Sequence, residues 1–206
     1  MAQRRHHYEH AFEAYLRAKR VPYVAVDEAR KALIPEGEAL RVTVQDPSGH
    51  ERHAALKSFD FVIYGQGSNL LVEVKGRKLA RRALSSQARG RLESWVTAED
   101  IESLTAWGRL FGPEFSPSFV FVYWCDEQPP DALFEEVVEH RGKWYALRAI
   151  SLSDYRSAMK LRSQRWGTVD LPAAAFDRLS TPFSWPGSPV ADPPPEPPAF
   201  EPLPAR

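Results

Sequence analysis

The chain has 206 residues, 43% apolar and 12% aromatic, and its 27 Lys plus Arg balance 27 Asp plus Glu. That length and apolar content fit one globular domain with a buried core rather than a disordered chain. Zero net charge argues against a wholly basic nucleic-acid coat protein, an acidic tail protein and a polybasic membrane binder.

The first element predicted is a helix over Tyr8 to Arg20, with apolar residues at 8, 11, 12, 15 and 16 forming one stripe and Pro22 ending it. An extended, poorly patterned region follows, with one strand candidate, Ala39 to Gln45, and a turn at Asp46-Pro47-Ser48-Gly49. Ser58 to Tyr64 and Asn69 to Lys75 read as two strands joined by the hairpin loop Gly65-Gln66-Gly67-Ser68. Thr97 is the expected N-cap of a second helix with Ile101, Leu104, Trp107, Leu110 and Phe111 on its buried face, stopped by Gly112-Pro113. Ser118 to Trp124 and Lys143 to Ile150 are strands by composition, and Ser151 to Asp154 caps a helix running to about Gln164. A further strand and helix close a mixed α/β domain over residues 5–180, a central sheet flanked by helices. Ten of the 18 prolines fall after residue 180, so 181–206 is expected to be a Pro-rich tail, either inert or a ligand for a proline-reading partner.

Cys125 is the single cysteine, which excludes an internal disulfide and points to a reducing, cytoplasmic setting. The longest apolar run, Phe119 to Cys125, is too short to cross a bilayer, and no apolar stretch follows the basic start to make a secretory signal. Charge is unevenly distributed. Residues 61–91 carry seven basic residues and one acid, a balance of +6, whereas 92–150 carry four basic residues and eleven acids, a balance of −7. The basic segment, with Arg77, Lys78, Arg81, Arg82, Arg89 and Arg91, is where a polyanion such as nucleic acid is expected to touch.

The two-strand hairpin carries the chemistry. Alternation puts Glu73 and Lys75 on one face, and symmetric pairing about the loop brings Asp60 opposite or nearly opposite Glu73. Carboxylates crowded together repel, and a hard divalent cation such as Mg²⁺ or Mn²⁺ relieves that repulsion. A third acid comes from the first helix, where Glu9 and Glu13 share a face. Each has an ordinary ion-pair partner four residues away, Arg5 for Glu9 and Arg17 for Glu13, and Glu9 lies nearer the helix start. His7 is a minor candidate. The cluster Arg162 to Trp166 can contact a phosphate backbone or stack on a base, although a Trp in such a place more commonly docks on the core.

An acid in the first helix, an Asp beginning one strand and Glu-x-Lys on the next resemble the pattern of the PD-(D/E)XK nuclease superfamily, here Glu9, Asp60, Glu73 and Lys75. The stretch EVKGRK, the basic segment, the helix ending in RLFG (Arg109 to Gly112) and an aromatic strand look most like its archaeal Holliday junction resolvase branch. HYEHAFE, residues 7–13, also matches the signature of an uncharacterised bacterial HYExAFE family. The superfamily's Pro before the Asp is Phe59 here. The resemblance implies a restriction-endonuclease-like αβββαβ core with a C-terminal strand-helix extension. It implies Mg²⁺ or Mn²⁺, as one ion or two, with one held by Asp60, Glu73 and the Val74 carbonyl and Glu9 completing the shell directly or through water, Lys75 positioning or helping to deprotonate the attacking water, and cleavage of DNA, structured or branched, by a homodimer. Two rivals stand beside it: a nuclease fold that binds nucleic acid without cutting, and an interaction scaffold that works through its Pro-rich tail.

Overall fold

The computed structural model describes residues 6–26, 41–45, 51–65, 68–79, 92–128 and 137–184. Helix α1 (His6–Ala18) buries Ala11, Phe12, Tyr15 and Leu16, the stripe that its spacing predicts. It ends before Pro22 is reached. Arg20 turns into the left-handed region at φ 55°, and the Val21 N–H donates to the Leu16 carbonyl at 2.9 Å, closing the last turn on its own acceptors.

The central sheet is mixed. Strand β1 (Tyr23–Ala25) lies outside the expected hairpin, pairing antiparallel with one of its strands. Between them in sequence, β2 (Arg41–Gln45) and β3 (Glu51–Ala55) pair with each other as a separate two-stranded sheet. The hairpin itself is β4 (Phe61–Ile63) and β5 (Asn69–Lys78). The strand expected over 39–45 is present from Arg41 to Gln45, whereas β1, which lies beside β4, is not among the expected strands, because three residues are too few to show an alternation. The turn expected at 46–49 lies outside the described residues. A short strand β6 (Val96–Thr97) leads into α2 (Ala98–Phe111), and β7 (Phe115–Cys125) then pairs parallel to β5. Strands β8 (Val137–His140) and β9 (Lys143–Ser151) follow, with β9 antiparallel to β7.

The helix that begins at Ser151 is shorter than predicted. Helix α3 spans Leu152–Ala158, and Met159 is extended. Strand β10 (Lys160–Ser163) then pairs with β11 (Thr168–Asp170), which pairs with β6, so ladder pairing takes residues that local propensity would have left helical. After α4 (Ala173–Leu179), β12 (Thr181–Pro182) pairs with β9, and Phe183 is buried against Phe12 and Tyr15. Residues 185–206, most of the Pro-rich tail, lie outside the described residues.

Both faces of the sheet are covered. On one, α1 packs over Val72, Val74, Val120 and Val122; on the other, α2 and α3 pack over Leu71, Phe119 and Phe121 through Ile101, Leu104, Leu152 and Tyr155. On α2 the inward stripe is Ile101 and Leu104, buried, with Trp107 and Phe111, partly buried. Leu110, expected on that face, is 62% exposed because Trp107 and Phe111 turn toward Phe59 instead, with ring centroids at 5.3 and 5.8 Å.

Gly76 sets how closely α1 approaches β5. The Tyr8 ring lies on it, and a Cβ at that position would overlap the ring. Gly76→Ala is expected to lower the melting temperature by about 3–10 °C through overpacking. Adding Tyr8→Ala is expected to cost less than the sum of the two single changes, read as a double-mutant cycle of thermal melts.

Candidate functional site

The register of β4 on β5 pairs Phe61 with Val72 and Ile63 with Leu70, which sets Asp60 across from Glu73. Asp60 sits in a bend one residue before β4. Its N–H donates to the Val72 carbonyl at 3.0 Å, and its Oδ2 accepts the Val74 N–H at 2.6 Å, so the carboxylate extends the ladder past the end of the strand. Phe59, standing where the nuclease pattern has Pro, anchors this bend in the core between Trp107 and Phe111.

Glu73 and Lys75 project from β5 toward α2. The Lys75 Nζ donates to Glu73 Oε1 at 2.8 Å and pairs with Asp100 Oδ2 at 2.7 Å. Asp100 belongs to the capping box of α2: Thr97 Oγ1 accepts the Asp100 N–H at 3.1 Å, and Asp100 Oδ2 accepts the Thr97 N–H at 3.0 Å. Lys57 joins from the segment before Asp60, its Nζ bonded to Asp100 and 3.5 Å from Glu73. Trp107 Nε1 donates to the Lys57 carbonyl at 2.9 Å, tying that segment to α2.

These contacts divide the acids. Burial opposes ionisation of Asp100, but Lys75, Lys57 and the Thr97 amide outweigh it and hold the carboxyl down to about 2. Asp60 moves the other way. It keeps an edge open to the cleft but lies deep among protein atoms, and desolvation, then Glu73, then Glu9 push its pKa well up, with the Val74 amide and Lys75 opposing. Glu73, 8% exposed, is also raised, chiefly by desolvation, with Lys75 and Lys57 partly offsetting it.

Glu9 and Glu13 separate cleanly. Glu9 lines the cleft with Asp60 and Glu73. Glu13 binds Arg17 Nη2 at 2.7 Å and the Tyr23 hydroxyl at 2.8 Å, on a different stretch of surface. His7 pairs through Nδ1 with the Tyr145 hydroxyl at 3.0 Å, and burial with nearby Lys143 lowers its pKa. Of the basic residues expected to meet phosphate, Arg77 lines the cleft but is committed internally. It donates to the Gly76 and Trp95 carbonyls and lies 4.0 Å over the Trp95 ring. Lys78 alternates to the opposite face, 4.6 Å over Trp124 and 3.2 Å from Asp126. Arg81, Arg82, Arg89 and Arg91 lie outside the described residues.

The cleft that gathers these groups measures about 1180 Å³. Sequence reasoning passed over Lys57, Asp100 and Trp95, which also line it. Asp100 was visible only as a helix-capping residue, and Lys57 lies three before Asp60 in no recognisable spacing. Trp166, expected to dock on the core, is 70% exposed at the rim of the cleft. Cys125 is buried and its thiol is pushed up to about 11, which suits a core residue and not a nucleophile.

Among the described residues no three His, Cys, Asp or Glu side chains converge into a metal cage. Asp60 and Glu73 face each other as a pair of carboxylates, and Glu9 lines the same cleft. Such a set fits a hard cation that binds few protein oxygens and keeps several waters, as Mg²⁺ does, and the mutual repulsion acting on Asp60 is what a cation would relieve.

Against known proteins the chain stands apart in sequence. No protein-family model and no curated protein matches it, so the HYExAFE resemblance rests on residues 7–13 alone. Among solved structures it is similar to Hjc, a Holliday junction resolvase from the archaeal hyperthermophile Archaeoglobus fulgidus. The two share 12% identity and a TM-score of 0.41, over 84% of this chain and 92% of that one. No helix among the described residues is long and apolar enough to cross a membrane.

A folded-state pKa raised above its ordinary value gives stability that is present in acid and lost as the pH rises through the raised value. At neutral pH, therefore, the Asp60 carboxyl works against the cation-free fold. Asp60→Asn keeps an acceptor for the Val74 amide and removes the charge. In chelator at neutral pH it is expected to raise the melting temperature by about 2–4 °C, a gain that fades below about pH 4.

Proposed function

We propose that this chain is a divalent-cation-dependent nuclease that hydrolyses phosphodiester bonds in DNA. The observation that carries the reading is the pairing of Asp60 with Glu73 across β4 and β5, with Lys75 on the same face, at the floor of a cleft that Glu9 also lines. The run α1, β1, β4, β5, α2, β7 supports a restriction-endonuclease-like αβββαβ core, with the β2–β3 hairpin inserted between its first and second strands and β10, β11 and α4 as the extension.

Asp60, Glu73 and the Val74 carbonyl would hold Mg²⁺ or Mn²⁺, with Glu9 completing the shell directly or through water. Such a cation would supply positive charge at the scissile phosphate and lower the pKa of the attacking water. The remaining work falls to the chain. An ammonium group has three N–H bonds, and Lys75 directs two of them to Glu73 and Asp100. The third serves the cleft, orienting the water or a phosphate oxygen as a donor. Asp100, kept ionised by its partners, fixes where that donor points. Cutting two strands of a branched substrate would call for two copies of the chain, one site each.

Lys57 favours a second reading. Placed beside Glu73 and bonded to Asp100, it supplies part of the charge that a cation would bring, as in a nuclease fold that grips nucleic acid without cutting it.

The distinguishing experiment incubates purified protein with Mn²⁺ and linear duplex, single-stranded, nicked, flap and four-way junction DNA, and RNA. Cleavage of at least one DNA substrate is expected, slowed about 10²- to 10³-fold by Lys75→Ala. Failure of the wild type to cut any of them, with nucleic-acid binding retained, would replace the enzyme with the binding module.

A further inference from the structure

The acids form the floor of the cleft, and one of its walls is different in kind. Strand β11 is held against β6, and the turn between β10 and β11 is tied to the start of α2 by the Ala98 N–H donating to the Gly167 carbonyl at 2.8 Å. Within the turn, the Gly167 N–H donates to the Gln164 carbonyl at 3.2 Å, and Gly167 takes φ +54°. Trp166 is thus carried on a braced turn, yet it is 70% exposed. Arg165 lies 5.3 Å from the Trp166 ring centroid, and Arg162 lies 5.1 Å from that of Trp95.

This wall suits an occupant that is both flat and anionic. The Trp95 ring already carries two guanidinium groups, Arg77 at 4.0 Å and Arg162, whereas most of the Trp166 surface is open. In a continuous duplex the base faces are covered by their neighbours, and only edges and phosphates are presented. An unpaired base offers its face to an indole and its phosphates to arginines. We propose that Trp166, with Arg162 and Arg165, is a stacking platform for an unpaired nucleobase, so that the cleft takes single-stranded or splayed strands in preference to continuous duplex. The proposal rests on the nuclease reading for what lies at the floor, but its test does not require cleavage.

The full chain, in chelator and at low salt, is titrated into a fluorescein-labelled oligothymidylate of about 15 nucleotides and into a blunt duplex of the same length, read by anisotropy. The single strand is expected to bind tighter. Trp166→Ala should weaken single-strand binding about tenfold with duplex binding unchanged, and Trp166→Phe should keep most of the affinity. Arg162→Ala should weaken the single strand and reduce the salt dependence by about one phosphate contact. Because Trp166 is exposed, a melting temperature within about 2 °C of wild type is expected for its alanine variant.

Equal single-strand affinity for wild type and Trp166→Ala would overturn the proposal, as would a wild-type preference for duplex. So would a wild-type dimer that Trp166→Ala converts to monomer with no change in single-strand affinity, which would make the exposed indole a contact between copies. If the platform proposal is overturned, the nuclease reading still stands or falls on the cleavage panel alone. A protein that cuts nothing but shows the Trp166 dependence loses the nuclease reading alone.

Discussion

The bond from the Val74 amide to Asp60 Oδ2 sets the position of the carboxylate pair around which the cleft is arranged. Strand β4 begins at Phe61, and before that point the Val74 amide of β5 needs another acceptor. By supplying it, the Asp60 carboxylate is drawn out of solvent and set across from Glu73. The same bond that extends the sheet therefore concentrates negative charge. Desolvation and the Glu73 and Glu9 carboxylates press Asp60 toward protonation, and one amide and Lys75 are not enough to offset them. By linkage, a carboxyl whose pKa is raised in the folded state costs that fold stability at neutral pH. Local instability of this kind is common where a site is built for a ligand.

The other elements converge on that point. Helix α1 brings Glu9 because Gly76 lets Tyr8 lie against β5. Helix α2 brings Asp100 in its first turn, where the helix dipole favours negative charge, and the residue both caps the helix and fixes Lys75 and Lys57. Lysines and carboxylates alternate across the floor of the cleft, while cationic and aromatic side chains line the β10–β11 wall. Neutrality of the chain as a whole conceals this local separation of charge.

Much of this was legible in the sequence. The stripe of α1, the hairpin register that sets Asp60 against Glu73, and the Thr97 cap all follow from periodicity and capping chemistry within short windows. What was not legible depends on distant partners. Strand β1 is defined by pairing with β4, and the end of α3 at Ala158 by the β10–β11–β6 ladder. Lys57 and Asp100 meet only because the chain before Asp60 is tied to α2. Alternation, read three residues past Lys75 along β5, carries Lys78 to the far face, and local charge counting could not show that Arg77 would be consumed by Trp95. Trp166 departed from the usual docking of an indole because its turn is fastened by backbone bonds to Gly167 and needs no side-chain anchor.

The central claim is that Asp60 and Glu73 are held together for a cation. Titration calorimetry of Mn²⁺ into the protein, at mildly acid pH and in two buffers of different ionisation enthalpy, tests it directly. The account predicts saturable binding with net release of protons, because carboxyl groups with raised pKa must ionise to coordinate, and it predicts loss of that binding in Asp60→Asn. No saturable binding by the wild type, or binding that Asp60→Asn leaves unchanged, would contradict it.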